Sequence, residues 1–215
     1  MSAPKPAPRP AAGGRTRTPA PWLTIAESEV ADCKVFRVQR CRMRHARDGR
    51  EGDFFVLQMP DWVNVLALTP KRELILVRQW RFGAGKLSWE PPGGVIEAGE
   101  DITTAARREL LEETGRAGSN ARVIGRASPN PALQNNLVHF VFIENCVNQA
   151  PIAWDPNEEL EMGVFSQAKV GKMIRDGEIF HSLALNALQF LFLHQAAKSA
   201  RIKTRAMAAA RPNRK

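Results

Sequence analysis

Three glutamates, Glu109, Glu112 and Glu113, close the stretch RRELLEETG at residues 107–115. Read as a helix, this stretch places negative charge where the helix dipole is already negative. Glu109 and Glu113 are four residues apart, a spacing at which like charges repel. Spacings of three and four bring all three carboxylates to one face, beside the small residues Ala105 and Ala106. Clustered carboxylates are the ligands that hard divalent cations take, and Mg²⁺ combines one or two of them with phosphate oxygens of a substrate. A solvated face on which Arg108 pairs with Glu112 is the alternative for the helix taken alone.

The upstream residues decide between these readings. Gly94, Glu100, Arg108-Glu109-Leu110, Glu112-Glu113 and Gly115 stand at intervals of five, seven, one and one residues. At ordinary residue frequencies such a match arises by chance on the order of once in a million chains of this length. The spacing is that of the Nudix box, and the chain resembles the Nudix hydrolases. One position departs: Arg116 stands where the family's box ends in an aliphatic residue.

The elements needed to position this helix are legible around it. Asp101 is a candidate N-cap, Ile102, Ala106 and Leu110 form an apolar stripe, and Gly115 suits the helix end. From Trp22 to Leu87 the pattern is β, with KVFRV, DFFVLQ, VNVLAL and ELILVRQW as strands and an Asp-Gly turn in ARDGREG. ARVIGR and LVHFVFIENC read as further strands. FSQAKVGKMIRDG reads as a short helix capped by Ser166, and SLALNALQFLFLHQAA as a longer buried one. Strands and helices alternate without a regular βαβ rhythm, which favours a mixed-sheet α/β or α+β domain. Arg40, Arg42 and Arg44 share one face of a strand, read as a solvated face because no aromatic residues interleave with them.

Composition bounds the remaining possibilities. The 215 residues are 44% hydrophobic and carry a net charge of +9. Residues 1–22 hold four basic residues and residues 198–215 hold seven, with no acid in either, so the part between them is mildly acidic. Both ends read as basic tails, and the Pro/Ala-rich first one cannot offset its ordering entropy. The chain therefore divides into a tail at 1–22, an N-terminal β subdomain at 23–60, a hydrolase domain at 61–197 and a tail at 198–215. Apolar runs are too short to span a bilayer, and an acidic middle argues against specific nucleic-acid binding. Cys33, Cys41 and Cys146 lack metal-site spacing and read as reduced thiols of a cytoplasmic protein.

The resemblance implies more than the residues themselves. It implies an α/β/α sandwich and Mg²⁺- or Mn²⁺-dependent hydrolysis of a nucleoside diphosphate linked to another moiety. Carried over by position, Glu109 and Glu113 match the family's principal metal ligands. Glu112 matches a further one, the Gly93 carbonyl another, and Arg108 orients the glutamates. VRQWRFGAG with LSWEPPGG, and the proline at Pro129 or Pro131, are similar to the ADP-ribose pyrophosphatase group. That likeness makes ADP-ribose or a related nucleotide sugar the expected substrate, with AMP and ribose 5-phosphate as products. It also assigns Glu158, in the acidic stretch NEELEM, as a metal ligand or base, and Arg78, Arg81, Glu90 and Pro129 as substrate contacts. The N-terminal strands then build a homodimer. Two other classes share parts of this pattern: a Nudix-fold sensor that binds without cleaving, and a nucleic-acid binder acting through its basic tails.

Overall fold

The computed structural model describes residues 18–154 and 159–209, with side chains to residue 200. Three strands come first: β1 (Trp22–Asp32), β2 (Arg37–His45) and β3 (Glu51–Gln58) form an antiparallel meander. Asp48-Gly49 makes the turn between β2 and β3, with Gly49 at φ 71°, a value that glycine adopts without cost. β2 begins later than the KVFRV run, because Cys33 to Phe36 form a turn closed by the Cys33 N–H to the Phe36 carbonyl at 2.9 Å. Arg40, Arg42 and Arg44 do share a face, where they pair with Asp53 and Glu51 on β3 at 2.5–3.3 Å. All of these side chains are partly solvated, so the stripe is an ion-paired surface contributing little stability.

Two further three-stranded sheets form the body. β4 (Trp62–Ala67) runs parallel to β8 (Val138–Asn148), which pairs antiparallel with β7 (Arg116–Ala127). β5 (Leu74–Arg81) lies between β6 (Lys86–Glu90) and β9 (Glu161–Phe165). Glu161 and Met162, the end of the stretch read as an acidic loop, are therefore strand, paired with Arg78 and Val77.

Apolar residues on both faces of these strands explain their near-continuous hydrophobic runs. Val63, Val65, Ala67, Ile75, Val141 and Ile143 pack on one side against Ala105, Ala106 and Leu110 of α1 (Ile102–Thr114). Their neighbours Leu66, Leu68, Leu74, Leu76, Phe140 and Phe142 pack on the other side. There they meet Val170 and Met173 of α2 (Gln167–Arg175) and Leu183, Ala184 and Ala187 of α3 (Ser182–Ala209). Strand alternation thus builds an α/β/α sandwich from a single set of strands. α3 runs on past residue 197 to Ala209, so the first part of the segment read as a basic tail continues the helix. Among the described residues no helix is long and apolar enough to cross a membrane.

Candidate active site

α1 is defined at both ends by its own sequence. The Asp101 carboxylate accepts the N–H groups of Thr103 and Thr104 at 2.9 and 3.2 Å, satisfying donors left over by the first turn. At the other end Gly115 adopts φ 65°, and its N–H reaches the Leu111 carbonyl at 2.8 Å.

Between these caps, Ala105, Ala106, Glu109, Leu110, Glu113 and Thr114 are buried along the face turned to the sheet. Two of the carboxylates therefore lie on the packed side of the helix. Glu112 is different: its side chain is 44% exposed.

A loop from Pro91 to Ile96 lies along β4. The Val63 N–H donates to the Gly94 carbonyl at 2.9 Å and the Val65 N–H to the Pro92 carbonyl at 2.7 Å, a pairing that skips the Gly93 carbonyl. The two glycines are required by what surrounds them. A Cβ at Gly93 would lie 2.0 Å from the Val63 carbonyl oxygen, and one at Gly94 would lie 2.5 Å from the Glu109 carboxylate. The backbone can thus come up against both glutamates, and the Gly93 N–H donates to Glu113 Oε2 at 3.0 Å.

Arg108 ties the helix to this loop. Its guanidinium donates to Glu100 at 3.0 and 2.9 Å, to Glu109 at 2.8 Å, to Glu112 at 3.1 Å and to the Val95 carbonyl at 3.0 Å. The bond from Arg108 holds the Glu100 carboxyl below its usual range, and Glu100 in turn raises Arg108 further. Glu100 also accepts the Glu97 N–H at 3.1 Å, which closes the loop.

The awkward C-terminal end of α1 is stabilised from outside the helix. The Ala153 N–H reaches the Glu112 carbonyl at 3.0 Å, Trp154 Nε1 reaches the Glu113 carbonyl at 3.3 Å, and the Gln149 and Ala150 N–H groups reach that of Gly115. These donors occupy carbonyls that carry the negative end of the dipole. No spacing in the sequence identifies them, because they arrive from the far end of β8.

Of the other expected site residues, Arg81 lines one cavity with Gly93 and Gly94, and Arg78 lines another. Arg81 pairs through the Nε and Nη2 edge of its guanidinium with both oxygens of Glu90, which is fully buried and also receives His181 Nδ1 at 2.8 Å. Burial pushes the Glu90 carboxyl up, but the bonds from His181 and Arg81 outweigh it and hold the group below its usual range. His181 was not singled out by sequence, and a lone histidine between helices offers no signal. Arg78 makes a surface ion pair with Glu161 at 3.2 Å. Pro129 and Pro131 stand in the β7–β8 loop. Hydrogen bonds of that loop run to the end of the N-terminal sheet, as in the Leu57 N–H to the Leu133 carbonyl at 2.7 Å. Glu158 lies outside the described residues.

Buried carboxylates beside a glycine backbone are oxygen donors suited to a hard divalent cation. Among the described residues no three His, Cys, Asp or Glu side chains converge as a complete metal cage. Mg²⁺ typically takes one or two carboxylates and completes its shell with water and phosphate oxygens.

A mixed sheet with helices on both faces, and a loop–helix–loop that sets carboxylates against a glycine turn, define an α/β protein of the three-layer sandwich class. The chain belongs to the NUDIX family: the model of the NUDIX domain matches residues 60–184. It is 27% identical over 174 residues to an ADP-ribose pyrophosphatase of Bacillus subtilis (strain 168), covering 80% of this chain and 94% of that one. It is 28% identical over 168 residues to an ADP-ribose pyrophosphatase of Mycobacterium tuberculosis, covering 75% and 79%. A solved structure titled "Crystal structure of ADP compounds hydrolase" superposes with a TM-score of 0.75 at 18% identity, covering 85% of this chain and 98% of the other. That likeness concerns the fold.

Proposed function

We propose that this protein hydrolyses the diphosphate bridge of a nucleoside diphosphate joined to a sugar, with ADP-ribose as substrate and AMP and ribose 5-phosphate as products. The observation that carries this reading is the placement of Glu109 and Glu113. They lie one helical turn apart on the buried face of α1, against the backbone of Gly93 and Gly94. Two relatives named as ADP-ribose pyrophosphatases, matched over most of their length, support the choice of substrate.

Glu109, Glu113 and the Gly93 carbonyl would hold Mg²⁺ or Mn²⁺, with Glu112, and Glu158 from outside the described residues, as further ligands. When bound, the cation neutralises charge on the diphosphate and makes water a better nucleophile. Arg108 keeps Glu109 and Glu112 in one arrangement, so that the carboxylates do not have to reorganise during the reaction. Water adds to one phosphorus as the bridging P–O bond breaks, and a carboxylate of this cluster accepts the proton that the water loses.

Glu113→Gln tests the reading. It keeps the shape and removes a charge, so turnover of ADP-ribose should fall by ~10²-fold or more while the fold is retained. Mg²⁺ should raise the melting temperature of the parent protein more than that of the variant. Equal rates for the two proteins at limiting Mg²⁺ would refute it. Binding of ADP-ribose to the parent without any cleavage would instead favour a sensor.

We also propose that the protein is a homodimer assembled through β1–β3. This sheet presents Leu23, Ile25, Val30, Phe54 and Phe55, each 41–55% exposed, and a three-stranded sheet is too small to hold a core of its own. Light scattering that gave only the mass of one 23.9 kDa chain at micromolar concentration would exclude it. Three unbridged cysteines, with Cys33 exposed and Cys41 and Cys146 buried, fit a cytoplasmic location.

A further inference from the structure

β4 reads Trp-Val-Asn-Val-Leu-Ala, and its one polar residue, Asn64, is out of character with the rest. Alternation along the strand puts Asn64 on the side of Leu66, the side covered by α3. It is only 8% exposed, and among the described residues its side-chain amide makes no hydrogen bond. The buried side-chain atoms without a partner among the described residues belong to Arg116, Asn136 and Gln195, so the Asn64 amide is reachable by solvent and not sealed in the core.

The amide opens instead into a cavity of about 250 Å³ walled by Trp62, Arg81, Gly94, His181 and Leu183. Pockets that take an entire drug-sized ligand run to ~300–1,000 Å³, so this one suits a single ring of a larger substrate. Its charge is already balanced. Arg81 is engaged in two bonds to Glu90, and His181 Nδ1 is on the same carboxylate. What remains besides Trp62 is apolar, from Val63, Pro91, Val95 and Leu183, with the Asn64 amide as the neutral side-chain group able to exchange hydrogen bonds with a ligand. Those walls suit hydroxyl groups better than a phosphate. A nucleobase is commonly stacked on aromatic side chains, and the cavity offers only Trp62 for that purpose.

Position agrees with chemistry. Gly93 and Gly94 line the cavity and are also the backbone set against Glu113 and Glu109. A ring seated there is separated by one loop from the carboxylates. We propose that this cavity seats the sugar on the far phosphate of the substrate, and that Asn64 reads its hydroxyl groups. The inference rests on the pyrophosphohydrolase reading and adds a specificity-determining residue to it.

The test compares kcat/KM for ADP-ribose with that for the butyl ester of ADP, in which an alkyl chain replaces the sugar. The parent should prefer ADP-ribose, and Asn64→Leu, of similar volume, should reduce the ratio by about tenfold or more, since a site built to hydrogen-bond a hydroxyl discriminates strongly. Asn64→Ser, with a shorter polar group, should reduce the ratio to an intermediate degree, and it serves if the leucine variant does not fold. A ratio that stays within about twofold of the parent's in a folded variant overturns the role of Asn64 and leaves the hydrolase reading standing. A parent that cleaves neither ester in Mg²⁺ overturns both.

Discussion

Replacing Gly94 by alanine adds one methyl group against the Glu109 carboxylate. The new Cβ would lie 2.5 Å from Glu109 Oε1 and 2.7 Å from its Cδ, whereas ordinary contact begins at 3.4 Å. Something must therefore move by about 0.9 Å. The loop is held by the bonds from Val63 and Val65 to the Gly94 and Pro92 carbonyls, and on its other side Gly93 already abuts the Val63 carbonyl. Glu109 is the more movable partner, at the expense of its 2.8 Å bond from Arg108. A displacement near 1 Å in a group that positions reactants lowers turnover by about 10²-fold, equivalent to roughly 2.7 kcal/mol of barrier. Overpacking should also cost ~1–3 kcal/mol of stability. The assay is the initial rate of AMP release from ADP-ribose at saturating Mg²⁺, with the melting temperature measured alongside. Gly83→Ala is the control, because a methyl group there meets nothing within 4 Å. If Gly94→Ala kept more than about a third of the parent's turnover with an unchanged melting temperature, the close approach of loop and carboxylate would not matter to catalysis.

Other expectations follow from single residues. Gly171 sits inside α2, where an added methyl group comes no closer than 3.8 Å to Arg175 Nη1, so Gly171→Ala should raise the unfolding free energy by ~0.5–1 kcal/mol in urea. No change, or a loss, would mean that α2 does not behave as an ordinary helix. The Glu90 carboxyl is held below its unfolded value, so its contribution to stability is fully present above about pH 4.3 and is lost as the pH falls through the folded value. The melting temperature of the parent should therefore fall more steeply than that of Glu90→Gln between about pH 5 and pH 3, and parallel curves would contradict the bridge to Arg81 and His181.

The sequence by itself determined what depends on local geometry. The caps at Asp101 and Gly115 and the apolar stripe of α1 follow from helix periodicity and from the φ that glycine permits. Runs such as VNVLAL and ELILVRQW are strands because both of their faces find apolar cover, a demand visible in composition alone. The spacing from Gly94 to Gly115 indicated the family for the same reason, since a loop and one helix contain the whole pattern.

Tertiary structure decided how neighbouring residues of one type differ. Glu112 and Glu113 are adjacent in the chain, yet one is half-solvated on Arg108 and the other is buried against Gly93, because only one helix face meets the sheet. Arg78 and Arg81 read alike as substrate contacts. Arg78 ended at the surface with Glu161, while Arg81 was drawn onto a carboxylate shared with His181, ninety-one residues beyond Glu90. The donors from Gln149 to Trp154 that satisfy the end of α1, and the strand that begins at Glu161, likewise depend on partners far along the chain. Local periodicity carries no information about such partners. Packing chooses them, by burying whatever apolar surface remains and pairing each polar group that burial would otherwise leave unsatisfied.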